Sequence, residues 1–208
     1  MNVENAYDRW AESYDTMANK TRDLDLLASK RNLGHLSFQS ILEVGCGTGK
    51  NTEWLCHQCS KLIAVDFSET MMALARQKVT SKNVEWRKFD ISRSWPIEGI
   101  SFDLITFNLV LEHVYDLSFV FAESACRLAK GGVIHLSELH PFKQYLGSKA
   151  RFESENEMHE LEVFTHHLSD FTTALSDAGL KINDIKEWFD SDRKGVPRLL
   201  TILAVSDR

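Results

Sequence analysis

Short apolar runs alternate with helix-forming segments over most of the chain. Between the runs, residues 50–60 and 69–80 favour helix, with Ser68 as the predicted N-cap of the second. Such alternation predicts a parallel sheet with right-handed crossovers, helices on both faces, and a ligand crevice at the carboxyl ends of the strands. The predicted strands span residues 41–44, 61–66, 83–89, 102–109 and 132–138.

The first 36 residues predict helices that carry an aromatic stripe. Tyr7, Trp10, Tyr14 and Met17 recur at steps of three and four residues, which places them on one helical face. Two interpretations remain open at this point. The stripe either packs permanently on the domain, or it forms a lid over about residues 1–36 that closes a binding site.

The final third departs from simple alternation. A polar segment over about residues 140–169 is interpreted as a cap insertion. Residues 170–178 then predict a helix that ends at Gly179, and residues 181–189 and 199–205 predict two strands. Because a short turn joins these strands, they are expected to form an antiparallel hairpin.

Composition indicates one domain, residues 1–208, with no nucleic-acid or membrane partner. The 43% hydrophobic content suits a single core, and 24 basic against 30 acidic residues give a net charge of -6, which disfavours a phosphate backbone. The N-terminus lacks a signal peptide and no apolar run approaches a membrane span, so a cytoplasmic location is expected. The four cysteines show no disulfide spacing, which predicts reduced thiols. Cys56 and Cys59 have a spacing that could suggest zinc or redox chemistry, but zinc needs four ligands and no second pair exists, so no metal is predicted.

A glycine loop follows the first predicted strand. Residues 41–49 read ILEVGCGTG, and Asp66 ends the next apolar run, where a carboxylate can bind ribose hydroxyls. A dinucleotide loop would have its third glycine one residue later, where Lys50 stands, and Glu43 would repel a pyrophosphate. The loop therefore favours a nucleoside cofactor without phosphates.

The loop EVGCGTG resembles motif I of the class I S-adenosylmethionine-dependent methyltransferases. Further matching segments lie at residues 62–67, 89–91 and 102–114, in the order typical of that family. The resemblance implies a Rossmann-like, mostly parallel sheet of seven strands with an antiparallel last strand. It also implies S-adenosyl-L-methionine as cofactor, and an N-terminal helix that closes over the site.

The resemblance also assigns roles to individual cofactor-site residues. Phe67 and Met71 would flank the adenine, while Asp90 and Ile91 would contact its amino group and ring. Glu43 would serve the methionine end, and the main-chain carbonyls of Asn108 and Leu109 would lie near the amino group and the sulfonium. The whole predicted cofactor site comprises Tyr14, Glu43, Gly45, Cys46, Gly47, Gly49, Asp66, Phe67, Met71, Asp90, Ile91, Asn108 and Leu109.

Three residues at the crevice end of the predicted sheet are candidate general bases. His113 follows the fourth strand, and Glu138 and His140 lie at the end of the fifth. For the histidines, the alternative is a helix-cap or core hydrogen bond. A base is needed for a hydroxyl or a protonated amine, whereas a carboxylate or thiolate acceptor needs only alignment with the methyl group.

Five residues are predicted to contact the methyl acceptor: Tyr7, Trp10, Lys143, Tyr145 and Arg151. The cations among them favour an anionic molecule, although they could instead pair with the acidic run at 153–162 in a solvated hairpin.

The absence of one sequence motif narrows the class of methyl acceptor. The Asn/Asp-Pro-Pro-Tyr/Phe element of enzymes that methylate bases or glutamine amides is absent at residues 108–111, which read NLVL. The prediction is therefore a small-molecule methyltransferase, with O-methylation slightly favoured, acting as a monomer or a homodimer. A noncatalytic binding module and a nicotinamide-dependent oxidoreductase are the alternatives.

Overall fold

The computed structural model describes residues 3–148, 151–154, 157–160, 163–191 and 193–206. Seven of its strands form one sheet, and two short strands form a separate hairpin. The strands are β1 (Phe38–Val44), β2 (Cys59–Asp66), β3 (Val84–Lys88), β4 (Phe102–Asn108), β5 (Leu128–Leu139), β6 (Arg151–Ser154), β7 (Glu157–Glu160), β8 (Leu180–Asp190) and β9 (Arg193–Ser206). The helices are α1 (Val3–Tyr14), α2 (Lys20–Leu33), α3 (Thr52–Leu55), α4 (Glu69–Lys78), α5 (Leu117–Arg127), α6 (Pro141–Tyr145) and α7 (Leu168–Asp177), with a 3-10 turn at Leu111–His113.

The main sheet has the strand order β3-β2-β1-β4-β5-β9-β8. Pairing is parallel from β3 through β5, whereas β9 runs antiparallel to both of its neighbours. This is the predicted Rossmann-like topology with an antiparallel last strand. The chain moves outward in opposite directions from β1 and β4, so their carboxyl ends border the crevice where such sheets bind ligands.

Both faces of the sheet are buried, which explains the nearly continuous apolar runs of the central strands. Along β1, Leu42 and Val44 join one core cluster and Ile41 joins the other, because successive side chains point to opposite faces. Helices α5 and α7 pack into the first cluster, and α2, α3 and α4 into the second. Helices on both faces are thus confirmed.

One sequence prediction about an element needs correction. The helix predicted over residues 50–60 is only the single turn α3, because β2 begins already at Cys59. The side-chain amide of Asn83 donates to the main-chain oxygens of Cys56 and Cys59, at 2.8 and 2.9 Å, which holds the chain in a turn there. The segment 140–169, interpreted as a cap insertion, contains helix α6 and the β6–β7 hairpin.

The described residues contain no helix that is long and apolar enough to cross a membrane. In the same part of the chain, no group of three or more His, Cys, Asp and Glu side chains is arranged to hold a metal ion.

Candidate functional site

The glycine loop turns at three residues with positive φ, and they serve different purposes. A Cβ on Gly45 would lie 2.6 Å from Cγ2 of Val110, and one on Gly49 would lie 2.9 Å from Cβ of Ala75. These two glycines allow close packing of the loop on its neighbours. A Cβ on Gly47 would meet no heavy atom within 4 Å. Gly47 therefore faces open space in the crevice, where a ligand can approach the main chain.

Asp66 joins the glycine loop to the start of α4. Its carboxylate accepts the main-chain N–H of Gly47 at 2.8 Å and that of Ser68 at 2.9 Å. Burial raises the pKa of Asp66 to about 6, against the opposing effect of these amides. Each oxygen retains a lone pair, so the carboxylate can still accept hydrogen bonds from two adjacent hydroxyl groups.

Two cavities meet at Gly45. The first, which we call the Phe67 cavity, has a volume of about 290 Å³; the second, the Glu43 cavity, has a volume of about 50 Å³. The predicted residues Asp66, Phe67, Asp90, Ile91 and His113 line the Phe67 cavity. The predicted residues Tyr14, Glu43, Cys46, Gly47, Asn108 and Leu109 line the Glu43 cavity.

Two predicted cofactor residues line neither cavity. Met71 is buried, and its main-chain N–H donates to the Ser68 hydroxyl at the N-cap of α4, as predicted for that cap. Gly49 packs against α4. Both residues pack behind the residues that line the crevice and do not line it themselves.

The Glu43 cavity contains opposite charges. Glu43 and Asp25 are both 3% exposed, and Oε2 of Glu43 has no hydrogen-bond partner in the described residues. Burial first, and the neighbouring carboxyl groups of Asp66 and Asp25 to a lesser degree, raise the pKa of Glu43 to about 8. Arg22 also lines the cavity; its guanidinium lies 4.1 Å from the ring centre of Tyr14 and donates to main-chain oxygens of Tyr14 and Met17.

The turn after β4 is fixed by hydrogen bonds from β5. Leu109 is the non-glycine residue with a positive φ, 54°, in the described chain, and its N–H donates to the main-chain oxygen of Ser137 at 2.9 Å. Oε1 of Glu138 accepts the N–H groups of Val110 and Leu111 at 3.2 and 3.1 Å. Glu138 lines neither cavity, and burial raises its pKa well above the usual range. Its position therefore suits fixing the turn better than the catalytic role considered from the sequence.

Helix α1 lies against the site through its aromatic stripe. The Tyr7 hydroxyl bonds Nε2 of His113 at 2.8 Å, and its ring meets that of Phe67 edge-on with centroids 5.8 Å apart. The rings of Trp10 and Tyr14 are also in edge contact, at 4.8 Å. Tyr7 thus contacts residues that line the Phe67 cavity, and Tyr14 contacts Arg22 in the Glu43 cavity.

Acidic side chains attach α1 and the following turn to the cofactor loops. The Ser68 hydroxyl donates to Asp8 at 2.6 Å, and the Thr48 hydroxyl donates to Asp15 at 2.8 Å. Asp15 also pairs with Lys78 of α4. The N-terminal segment is therefore closed over the glycine loop and the start of α4.

His140 occupies a structural position. Its Nδ1 accepts the main-chain N–H of Phe142 at 3.0 Å and caps α6, so the ring proton is on Nε2, which lies 3.0 Å from Oε1 of Glu187. Both ring nitrogens are thus engaged, and His140 lines neither cavity. The helix-cap alternative fits this geometry, whereas the general-base prediction does not.

The predicted acceptor-binding cations and aromatics of the cap do not gather at the cavities. Lys143 is buried on α6, and the exposed Tyr145 bonds Nδ1 of His167 through its hydroxyl at 2.6 Å. Neither lines the Phe67 or the Glu43 cavity. Arg151 belongs to β6, but its side chain lies outside the described part of the structure.

Comparison with known proteins identifies the family. Residues 42–136 match the family described as a methyltransferase domain. A malonyl-[acyl-carrier protein] O-methyltransferase from Bacillus anthracis is 30% identical, in an alignment that covers 88% of this chain and 76% of that protein. The chain belongs to the class I S-adenosylmethionine-dependent methyltransferases. The predicted family is confirmed, and S-adenosylmethionine is its cofactor.

Two further matches agree with this methyltransferase assignment. The demethylmenaquinone methyltransferase of Lactococcus lactis is 31% identical over 67% of this chain and 59% of its own length. The structure of the N-methyltransferase NodS from Bradyrhizobium japonicum WM9, in complex with S-adenosyl-L-homocysteine, covers 100% of both chains with a TM-score of 0.74 at 16% identity, which shows a shared fold. The methyltransferase chain spans about half the length of several other curated relatives.

The site of this methyltransferase fits a nucleoside that carries an amino-acid end and no phosphate. The open space at Gly47, the unpartnered oxygen of Glu43 and the guanidinium of Arg22 are the observations that agree with such a group. Sequence reasoning missed Asp25 as a cavity residue. The sequence feature that could have indicated Asp25 is a polar stripe on α2 at steps of three and four residues, formed by Arg22, Asp25, Ser29 and Asn32.

Proposed function

We propose that this chain transfers a methyl group from S-adenosylmethionine to a small molecule, with oxygen as the favoured acceptor atom. The observation that supports this best is the meeting of the Phe67 and Glu43 cavities at Gly45, beneath α1. When bound, the cofactor supplies an electrophilic methyl group on a sulfonium. The task of the protein is then to align the acceptor with that methyl group and to exclude water.

The proposed cofactor contacts divide between the cavities. Asp66 would accept the ribose hydroxyls, while Phe67 and Ile91 would enclose the adenine in the Phe67 cavity. In the Glu43 cavity, Arg22 would hold the carboxylate of the amino-acid end, and Glu43 the ammonium side. This division follows the charges of the two cavities, since the Phe67 cavity has large apolar walls and the Glu43 cavity is charged.

His113 is the candidate base with the best position for an acceptor that must lose a proton. Of the three candidates it alone lines a cavity, where its Nε2 bonds the Tyr7 hydroxyl. Tyr7 holds the imidazole in place from α1, and Glu112 lies 3.9 Å from the same nitrogen. We therefore assign the positioning of His113 to Tyr7, and proton removal from a hydroxyl acceptor to His113.

The names of the relatives suggest a first set of acceptors to test. One relative is a demethylmenaquinone methyltransferase and another is an O-methyltransferase of malonyl-[acyl-carrier protein]. A panel of phenols, demethylated quinone precursors, malonyl thioesters and simple carboxylates would cover these chemistries. S-adenosylhomocysteine release is the assay signal.

Three outcomes of this experiment separate the functions. Turnover on a phenol or carboxylate supports the proposal. Tight binding of S-adenosylhomocysteine without turnover across the panel favours the noncatalytic module, whereas binding of NADH in its place favours an oxidoreductase.

A base at His113 predicts a specific mutational effect. For a hydroxyl acceptor, His113→Gln should lower kcat about 100-fold or more and leave cofactor affinity nearly unchanged. His140→Ala is the matched control, because His140 caps α6 outside both cavities. Equal turnover by the wild type and His113→Gln from pH 6 to 9 would leave alignment as the source of the rate.

A further inference from the structure

A polar stripe on α2 is buried against the sheet. Arg22, Asp25, Ser29 and Asn32 are between 1% and 8% exposed, although this helix face packs near β5 and β9. Buried polar groups are costly unless hydrogen bonds satisfy them. The partners of this stripe form a continuous path from the protein surface to the Glu43 cavity.

The outer part of the path begins at Lys186 on β8. Its ammonium donates to Oδ1 of Asn32 at 3.4 Å. The amide nitrogen of Asn32 lies 3.2 Å from the Thr201 hydroxyl and 3.4 Å from Nε2 of His135. Trp188 donates to the same Thr201 hydroxyl at 2.9 Å. The group that contacts Nε2 of His135 is therefore the side-chain amide of Asn32, whose orientation is fixed by Lys186 and Thr201.

The inner part of the path continues from the other ring nitrogen of His135. Nδ1 lies 3.2 Å from the Thr106 hydroxyl, which donates to Oδ1 of Asn108 at 2.7 Å. The amide nitrogen of Asn108 donates to Oδ1 of Asp25 at 2.7 Å and to the Ser29 hydroxyl at 2.8 Å. The path thus ends on the carboxylate of Asp25.

Only one direction of donation is consistent along this path. Lysine has no acceptor, so Oδ1 of Asn32 accepts and the amide nitrogen of Asn32 donates to Nε2 of His135. His135 must then carry its proton on Nδ1 and donate to Thr106. Full burial lowers the pKa of His135 to about 3, and the charge of Lys186 acts in the same direction. The imidazole is neutral, with one tautomer selected.

Asp25 faces the Glu43 cavity together with Glu43 itself. Its second oxygen accepts the side-chain amide of Asn51 at 3.0 Å, whereas Lys50, which also lines this cavity, pairs with Asp23. Glu43 adds a buried oxygen that has no hydrogen-bond partner in the same part of the chain. Two buried carboxyl groups border one small cavity, and a bound cation would offset the cost of ionising them there.

We propose that Asp25 binds the ammonium group at the amino-acid end of the cofactor, and that His135 is the positioning residue that orients Asp25 through Thr106 and Asn108. This inference rests on the proposed function, because it concerns the same cofactor site. It adds a carboxylate from α2, one helical turn from Arg22, to the residues that the glycine loop and strand ends supply.

The binding test compares two ligands by calorimetry. S-adenosylhomocysteine has the amino-acid end, whereas 5′-methylthioadenosine keeps the nucleoside and sulfur but lacks that end. Asp25→Asn should weaken S-adenosylhomocysteine about tenfold or more and leave 5′-methylthioadenosine within about twofold. Asp103→Asn is the matched control, since Asp103 holds the opposite end of the sheet, and it should change neither affinity.

The positioning test uses His135 and Thr106. His135→Leu should lower S-adenosylhomocysteine affinity about three- to tenfold without weakening 5′-methylthioadenosine, and His135→Asn, which keeps a donor towards Thr106, should restore part of the loss. If His135→Leu does not fold, Thr106→Val breaks the same link with little change in volume. An equal loss for both ligands, or no recovery in His135→Asn, would overturn the positioning role.

The outcomes also separate this inference from the proposed function. A wild-type protein that binds neither ligand would overturn both. A wild type that binds S-adenosylhomocysteine more tightly than 5′-methylthioadenosine, with an Asp25→Asn variant of unchanged affinity, would overturn the assignment of Asp25 alone.

Discussion

Asp66 orders the cofactor loops before any ligand arrives, because it bonds amides from two separate turns. Asp66→Ala should weaken S-adenosylhomocysteine binding by roughly 1.5 to 3 kcal/mol, since charge-assisted hydrogen bonds to the ribose and the order of the loop are lost together. Calorimetry on the folded variant measures the change.

Asp103→Ala is the matched control for this prediction. Asp103 also accepts two main-chain amides, from Gln39 and Ser40 at 2.7 and 2.8 Å, but at the opposite end of the strands. That variant should lose stability and keep its affinity for S-adenosylhomocysteine. An Asp66→Ala variant that binds as tightly as the wild type would remove Asp66 from the cofactor site.

Alanine substitutions at Gly45 and Gly47 should have different effects on stability and on ligand binding. In Gly47→Ala the added methyl group has room, because no heavy atom lies within 4 Å of its position. An alanine at φ +52° costs about 1 to 2 kcal/mol of backbone strain, so this variant should still fold. It should nevertheless lose most S-adenosylhomocysteine affinity, because its Cβ occupies the crevice. Gly45→Ala would collide with Val110 and should lower the melting temperature more. Normal ligand binding by Gly47→Ala would contradict a close approach of the cofactor to the loop.

Sequence reasoning identified cavity-lining residues where their surroundings are local. Glu43 and Asp66 could be placed because each stands at a fixed position relative to a strand end and the glycine loop. His140 also follows a strand end, but its partner Glu187 comes from a distant strand, and no local pattern distinguishes a helix cap from a catalytic group. Asp25 was missed for the same reason, since its partners Asn51 and Asn108 come from other elements.

At the scale of elements, the central strands β1, β2 and β4 could be predicted because each contains a short apolar run that is buried on both faces. Element lengths were harder to predict. The segment 50–60 has helix-forming residues, but tertiary pairing of β2 from Cys59 onward limits α3 to one turn. Propensity is therefore overridden where a strand competes for the same residues.

Helix α1 is the element whose motion is open to test. It packs on α4 and meets Ser68 and His113 through hydrogen bonds and Phe67 through a ring contact, and these last three residues lie at the cofactor site. Because of these contacts, α1 is expected to be held more firmly when a ligand fills the cavities. Amide hydrogen exchange across residues 5–22 should slow when S-adenosylhomocysteine is added.

The exchange experiment has an internal control in α7. This helix packs on α5 and β8 in the core, so its exchange should not depend on the ligand. Identical exchange of residues 5–22 with and without S-adenosylhomocysteine would favour permanent packing of the aromatic stripe.

At the scale of the whole molecule, the crevice concentrates carboxyl groups whose pKa values are raised by burial. The pKa is about 8 for Glu43, about 6 for Asp66 and about 7 for Glu112. Carboxyl groups in an unfolded chain titrate near pH 4, roughly. Between these values the folded state binds more protons than the unfolded state, so stability is greatest below the unfolded pKa and is lost as pH rises towards about 8.

The unfolding free energy of the ligand-free protein should therefore fall between pH 5 and 8, by about 1 to 3 kcal/mol. Glu43→Gln should make this fall shallower, because an amide has no charge to desolvate. Glu85→Gln is the control: pairing with Lys61 and then Arg87 lowers the pKa of Glu85, so its titration lies below this window. Urea titrations at each pH measure the effect, and a free energy that stays constant or rises with pH would show that the crevice carboxyl groups are not protonated in the folded protein.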